Sequence, residues 1–185
     1  QMAKSVDKKL SLTVDMDHSQ LPMDMSGMDH SGMNMSGMDM SGMDHSGMNM
    51  GGMKPADDGI EWDDDMAEMN AASNNNNVVW KFLDSATNKS NMDIDWSFQQ
   101  GDFVKISIFN DPKSMHPMQH PIHFHGQRFI VSSVNGKASS NLVWKDTVLV
   151  PAGATVDIIL EASNLGRWMS HCHISEHMEA NMMFE

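Results

Sequence analysis

The strongest constraint on this chain is the run His171-Cys172-His173-Ile174-Ser175-Glu176-His177-Met178-Glu179-Ala180-Asn181-Met182, which holds its one cysteine. It reduces to Cys-x4-His-x4-Met with a histidine on each side of the cysteine. If the tripeptide is extended, Cys172 points to one face of a strand and His171 and His173 point to the other. Adjacent Cα atoms are ~3.8 Å apart, so with side chains two sites built on those faces would lie on the order of 10 Å apart. The donor types are specific. A blue-copper site takes one thiolate, two imidazoles and a weak axial thioether. Cys172, His177 and Met182 supply three of the four, and the second imidazole must come from elsewhere. A buried free thiol beside chance histidines is the plainer alternative, but it leaves the placement of the one cysteine unexplained.

A second run, His120-Pro121-Ile122-His123-Phe124-His125-Gly126, offers that imidazole and more. His123 and His125 are two residues apart, so on a strand they share a face and can reach one metal or one cluster. Taken alone, an HxH pair fits a histidine-rich surface loop equally well.

Around these runs the text is β-like. Residues 9–16 alternate apolar and polar, and strand-like segments follow at 78–83, 103–109, 128–134, 142–150, 155–161 and 168–172. They are separated by Asn110-Asp111-Pro112, Asn135-Gly136 and Pro151-Ala152-Gly153. One helical turn is expected at 174–180. Short strands with such breaks predict an all-β sandwich or barrel.

Between residues 17 and 55 the sequence changes character. From Ser26 it repeats SGMDH, SGMNM and SGMDM, and much of the chain's total of 22 methionines falls here. A period of five suits neither strand nor helix, and Gly and Ser keep the backbone loose. The tract is therefore expected to be a disordered insertion. Thioethers are soft ligands that favour Cu(I), which nominates Met28, Met33, Met35, Met38, Met40, Met43, Met48 and Met50. A solvated linker that happens to be rich in methionine is the alternative. Order is expected to resume near Gly59-Ile60-Glu61-Trp62.

With 25 acidic residues against 12 basic, the net charge is -13. Such a chain repels phosphate backbones and attracts cations, so no nucleic-acid partner is expected. No run of about 18 apolar residues predicts a membrane span. A single cysteine allows no intrachain disulfide. The chain opens on Gln1 rather than Met, which suggests a processed chain or a fragment.

HPIHFHG and HCHISEHMEANM together resemble the C-terminal, third cupredoxin domain of multicopper oxidases, the group of laccases, bilirubin oxidases and bacterial copper-resistance oxidases. Trp144-Lys145-Asp146-Thr147-Val148 and Gly166-Arg167-Trp168-Met169 are similar to that family too, and the tract resembles the MDHSGM repeats of copper-resistance oxidases. The resemblance implies a cupredoxin-like Greek-key β-sandwich, with residues 1–16 as its first strand region, 17–55 as the insertion and 56–185 as the copper-binding domain. It implies a type 1 copper held by His120, Cys172, His177 and Met182. It assigns His123 to type 2 copper, and His125, His171 and His173 to type 3 copper. It also implies electron flow from a reductant, Cu(I) or a small phenol, through Cys172 to His171 and His173, with O2 reduced to water in a periplasmic or secreted protein. The family's trinuclear cluster uses eight histidines, four of them from the first domain. His18, His30, His45 and His116 are isolated in sequence, and the chain ends three residues beyond Met182. Both facts suggest a fragment of a larger oxidase, and the histidine shortfall implies missing N-terminal cupredoxin domains as partners. Rival readings are a stand-alone blue-copper carrier, which would leave four histidines idle, and a copper buffer, which would leave the type 1 pattern unexplained.

Overall fold

The computed structural model describes residues 4–16, 58–63 and 67–185. The tract expected at 17–55, with all eight nominated methionines, lies outside the described residues. Among those described, no helix is long and apolar enough to cross a membrane.

Among the described residues ten strands and two short α-helices follow in chain order, with one 3-10 turn at Asn91–Asp93. They are β1 (Lys8–Met16), α1 (Ala67–Ala72), β2 (Val78–Asp84), β3 (Phe103–Asn110), β4 (His120–Phe124), β5 (Arg128–Val134), β6 (Lys137–Ala138), β7 (Thr147–Val150), β8 (Thr155–Glu161), β9 (Ser170–Cys172), α2 (Ser175–Glu179) and β10 (Met183–Phe184). One sheet has the order β2-β1-β3-β8-β5-β6, and the other β10-β9-β4-β7. The result is the cupredoxin-like sandwich that the sequence predicts.

Alternation builds the core. Leu10, Leu12 and Val14 of β1, Ile106 and Ile108 of β3, and Val156, Ile158 and Leu160 of β8 are all buried, because every second side chain of a strand faces the opposing sheet. Ile122 and Phe124 of β4 meet them from the second sheet. Asn135 and Gly136, at φ +50 and +75, make the two-residue turn between β5 and β6, as hairpin twist requires.

Three expectations need correction. The strand expected at 142–150 is confined to β7, because Leu142, Val143 and Trp144 are exposed. Lys145 makes only an isolated bridge to Phe129, and Trp144 instead carries the Arg128 guanidinium, 4.3 Å from its ring centre. The strand expected at 168–172 starts at Ser170. Helix α1 was not expected, since its AEMNAA sequence has no apolar stripe.

Candidate metal centres

β9 is central to both donor clusters. It pairs with β4 in the register Ile122↔Cys172 and His123↔His171. That register sets the cysteine run directly against the HPIHFHG run. Cys172 Sγ lies 3.6 Å from His120 Nδ1 and 3.5 Å from His177 Nδ1, and the two Nδ1 atoms are 3.1 Å apart. Neighbouring ligands spaced like this fit one central transition-metal ion at bond lengths of about 2.0–2.3 Å. A thiol and two imidazoles, completed by a thioether in blue-copper sites, are a copper-type donor set.

The chain returns to this point by a tight path. Met178 N–H donates to the Ile174 carbonyl, opening α2, and Met182 N–H donates to the His177 carbonyl at 2.9 Å. Asn181 turns the backbone at φ +68, a conformation asparagine tolerates better than most residues. Cys172 N–H then donates to the Met182 carbonyl at 3.1 Å. Met182 is fully buried, whereas Met183 is half-buried on β10.

The other face of β9 gathers the remaining histidines. Ligand atoms of His123, His125 and His171 lie within 4.8 Å of one another. The His173 ring stands 5.6 Å from that of His171 and 5.7 Å from that of His123. Hydrogen bonds set two of the tautomers. Thr147 Oγ1 donates to the Asp146 carboxylate at 2.8 Å, so it accepts from His123 Nδ1 at 2.9 Å. His171 Nδ1 donates to the Cys172 carbonyl at 2.8 Å. In both rings Nε2 is left unprotonated, the usual way outer partners prepare a metal-binding histidine, and that of His171 accepts from His125 Nε2 at 2.9 Å. His125 lies just past the end of β4, and Gly126 follows it at φ +63. A Cβ at Gly126 would meet the Trp168 ring at 2.4 Å, so no other residue fits without displacing that indole.

Sequence reading missed Trp80 and His116. Trp80 stacks on His177 with ring centres 3.8 Å apart and meets His120 edge-on at 5.4 Å. His116, isolated in sequence, is buried 5.3 Å from the same indole. The Met115-His116-Pro117-Met118 run was the available signal.

Burial keeps the metal-free site neutral. It pushes His177 down to about 3 and His116 down to about 4. His120 is lowered well below its ordinary range by burial, then by His177 and His116. The Cys172 thiol is raised to about 12 by the same desolvation. Below pH 6.5 the unfolded chain takes up protons that the folded histidines refuse, so stability falls as pH falls. Above pH 9 the unfolded thiol ionises and the folded one does not, so stability falls again. The metal-free protein is therefore expected to be most stable between these limits. Each such group costs up to about 1.4 kcal/mol per pH unit outside them. Urea midpoints from pH 4.5 to 10.5 measure this, and a flat profile would contradict it. Copper loading should remove the alkaline loss, because the bound thiolate has already lost its proton.

Comparison with known proteins agrees with this geometry. Residues 61–185 match the family model described as multicopper oxidase. The chain is 38% identical over 85 residues to copper resistance protein A of Escherichia coli, covering 46% of this chain and 13% of that protein. It is 40% identical over 78 residues to the multicopper oxidase mco of Staphylococcus aureus, covering 41% of this chain and 17% of that protein. The chain thus spans well under a fifth of these relatives. The solved multicopper oxidase of Campylobacter jejuni, a metallo-oxidase, superposes with a TM-score of 0.51 at 22% identity, over 99% of this chain and 30% of that one. With its family model matching most of its length and its donors gathered on both faces of β9, this chain belongs to the multicopper oxidase family.

Proposed function

We propose that the chain is the copper-binding C-terminal domain of an O2-reducing oxidase whose preferred electron donor is Cu(I), in a periplasmic or secreted setting. The observation that carries this reading is the step from His171 to Cys172. One residue contributes to the thiolate cluster and its neighbour to the histidine cluster, across a single peptide unit. In this reading His120, Cys172, His177 and Met182 hold the type 1 copper. His123 holds type 2 copper, His125, His171 and His173 hold type 3 copper, and a further domain supplies the remaining cluster histidines.

Copper, when bound, supplies the one-electron chemistry and the reduction of O2 to water. The chain's residues supply the rest. Trp80 and the sandwich core exclude water from the thiolate. Asp146 and Thr147 fix His123, and the Cys172 carbonyl fixes His171. The Cys172–His171 backbone gives a short covalent route between the two faces. Loading with Cu(II) tests the reading, since an intense blue absorption is expected.

The 17–55 tract, read as an insertion in a 56–185 domain, makes Cu(I) the favoured donor over a small phenol. Its Met28, Met33, Met35, Met38, Met40, Met43, Met48 and Met50 are soft ligands, and the chain on either side of the tract belongs to the same domain. Tethering gives captured ions an effective concentration on the order of millimolar. Deleting residues 26–50 from the whole oxidase is expected to lower Cu(I) oxidation while sparing phenol oxidation and the blue absorption. The ratio of the two activities decides it, and an unchanged ratio would reduce the tract to a linker.

A further inference from the structure

Strand β2 is an outer strand of the six-stranded sheet, with β1 as its one neighbouring strand. Its alternation buries Trp80 and Phe82 on the same face. Both rings reach across to the segment 172–184, which carries Cys172, His177 and Met182. Trp80 stacks on His177 with ring centres 3.8 Å and planes 24° apart. Phe82 meets Phe184 of β10 edge-on at 5.3 Å. Strand β2 therefore backs the segment that supplies three of the four type 1 donors.

The outer edge of β2 is closed at these same two residues. Asn91 Nδ2 donates to the Trp80 carbonyl at 2.9 Å, and Phe82 N–H donates to Asn91 Oδ1 at 2.8 Å. One side-chain amide thus makes the two bonds that a further strand would make. Asn91 holds φ +48, a left-handed conformation in which asparagine is enriched. A slip of one residue in β2 would turn both rings outward, and the amide opposes that slip.

His177 depends on this support. His123 and His171 are oriented by hydrogen bonds at Nδ1, from Thr147 and Asp146 for one and from the Cys172 carbonyl for the other. Among the described residues His177 makes no hydrogen bond through its Nε2. Metal-binding histidines almost always have such an outer partner. Here the indole face supplies the restraint, because a ring stacked at this distance cannot rotate without striking it.

Taking the type 1 copper as proposed above, we propose that Trp80 is a positioning residue that locks His177 in its ligating orientation and raises the reduction potential of the copper, with Asn91 as its clamp. Cu(II) bound to one thiolate keeps a net positive charge, whereas Cu(I) bound to one thiolate has none. A dry apolar wall disfavours the charged state and so favours Cu(I).

Two measurements on the full chain test this. In the copper-free chain, proton resonances of the His177 ring are expected upfield of ordinary imidazole, shielded by the indole. Trp80→Leu should lose most of that shift, and Trp80→Phe should keep most of it. In the copper-loaded chain, redox titration of the blue absorption gives the potential. Trp80→Leu is expected to reduce the preference for Cu(I) about tenfold, which is ~59 mV for a one-electron couple. Trp80→Phe still offers a flat face and should stay near the unaltered value. Asn91→Gly tolerates the positive φ and removes both clamp bonds without touching the core. It should move both readings in the direction of Trp80→Leu, by less, and it carries the test if Trp80→Leu does not fold. An unchanged potential in Trp80→Leu would overturn the proposal, and so would equal falls in Trp80→Leu and Trp80→Phe, since bulk alone would then explain them. Unmoved readings in Asn91→Gly would overturn the clamp. An unaltered chain with no blue band would overturn the type 1 reading and the effect on potential with it, while the copper-free shift would still report the stack on His177.

Discussion

Replacing Cys172 with serine is expected to abolish the blue absorption completely, not merely weaken it. The colour of a type 1 site arises from its thiolate, and no second cysteine can stand in. The substitution should leave the fold nearly intact. A serine hydroxyl at a fully buried position can still bond to the Nδ1 atoms that now lie 3.5 and 3.6 Å from Sγ. The metal-free variant is therefore expected to lose no more than about 1–2 kcal/mol. The larger loss appears on adding copper. Ligand binding to the native state alone raises its stability in proportion to affinity. The unaltered chain should thus gain melting temperature with Cu(II), and Cys172→Ser should gain much less. Absorption spectra and thermal melts with and without Cu(II) measure both effects. A blue Cys172→Ser variant would remove Cys172 from the site.

The sequence made both clusters readable because their geometry is local. Alternation along an extended strand is enough to send Cys172 one way and His171 the other, and the folded chain keeps that division. The segments at 128–134 and 155–161 coincide with β5 and β8 for the same reason. What escaped depends on register between distant segments. Val14 pairs with Trp80 across β1 and β2, and that pairing delivers an indole to His177, which no spacing within either segment encodes. His116 belongs to the same class, since only the folded chain sets it beside Trp80. The run at 142–146 misled in the opposite direction. Its apolar residues suit a strand, yet they lie on the surface, where Arg128 covers Trp144. β4 was legible as chemistry rather than as structure. Its Pro121 argues against a central strand, but the fold uses that residue's carbonyl, which accepts from His173 N–H at 2.7 Å.

This chain alone is expected to reduce O2 no faster than a copper-salt background, even with its type 1 site fully loaded. Four-electron reduction needs several coppers held together, each with enough protein ligands to stay bound while O2 occupies an open position. On the relevant face of β9 the described residues offer His123, His125, His171 and His173. His120 and His177 are committed to the opposite cluster with Cys172, and His116 lies beside Trp80 on that same side. Four imidazoles shared among three ions leave about one each, too few to hold them against exchange with solvent. Rate enhancements of even 10⁶-fold correspond to about 8 kcal/mol of barrier lowering, which loosely held ions cannot supply. Oxygen uptake by a verified monomer, with Cu(I) or a phenol as donor, is the measurement. Robust turnover would mean that four histidines suffice. Turnover confined to an oligomer would mean that a second copy supplies the missing ligands, and co-expression with HxH-bearing cupredoxin domains should then become unnecessary for activity.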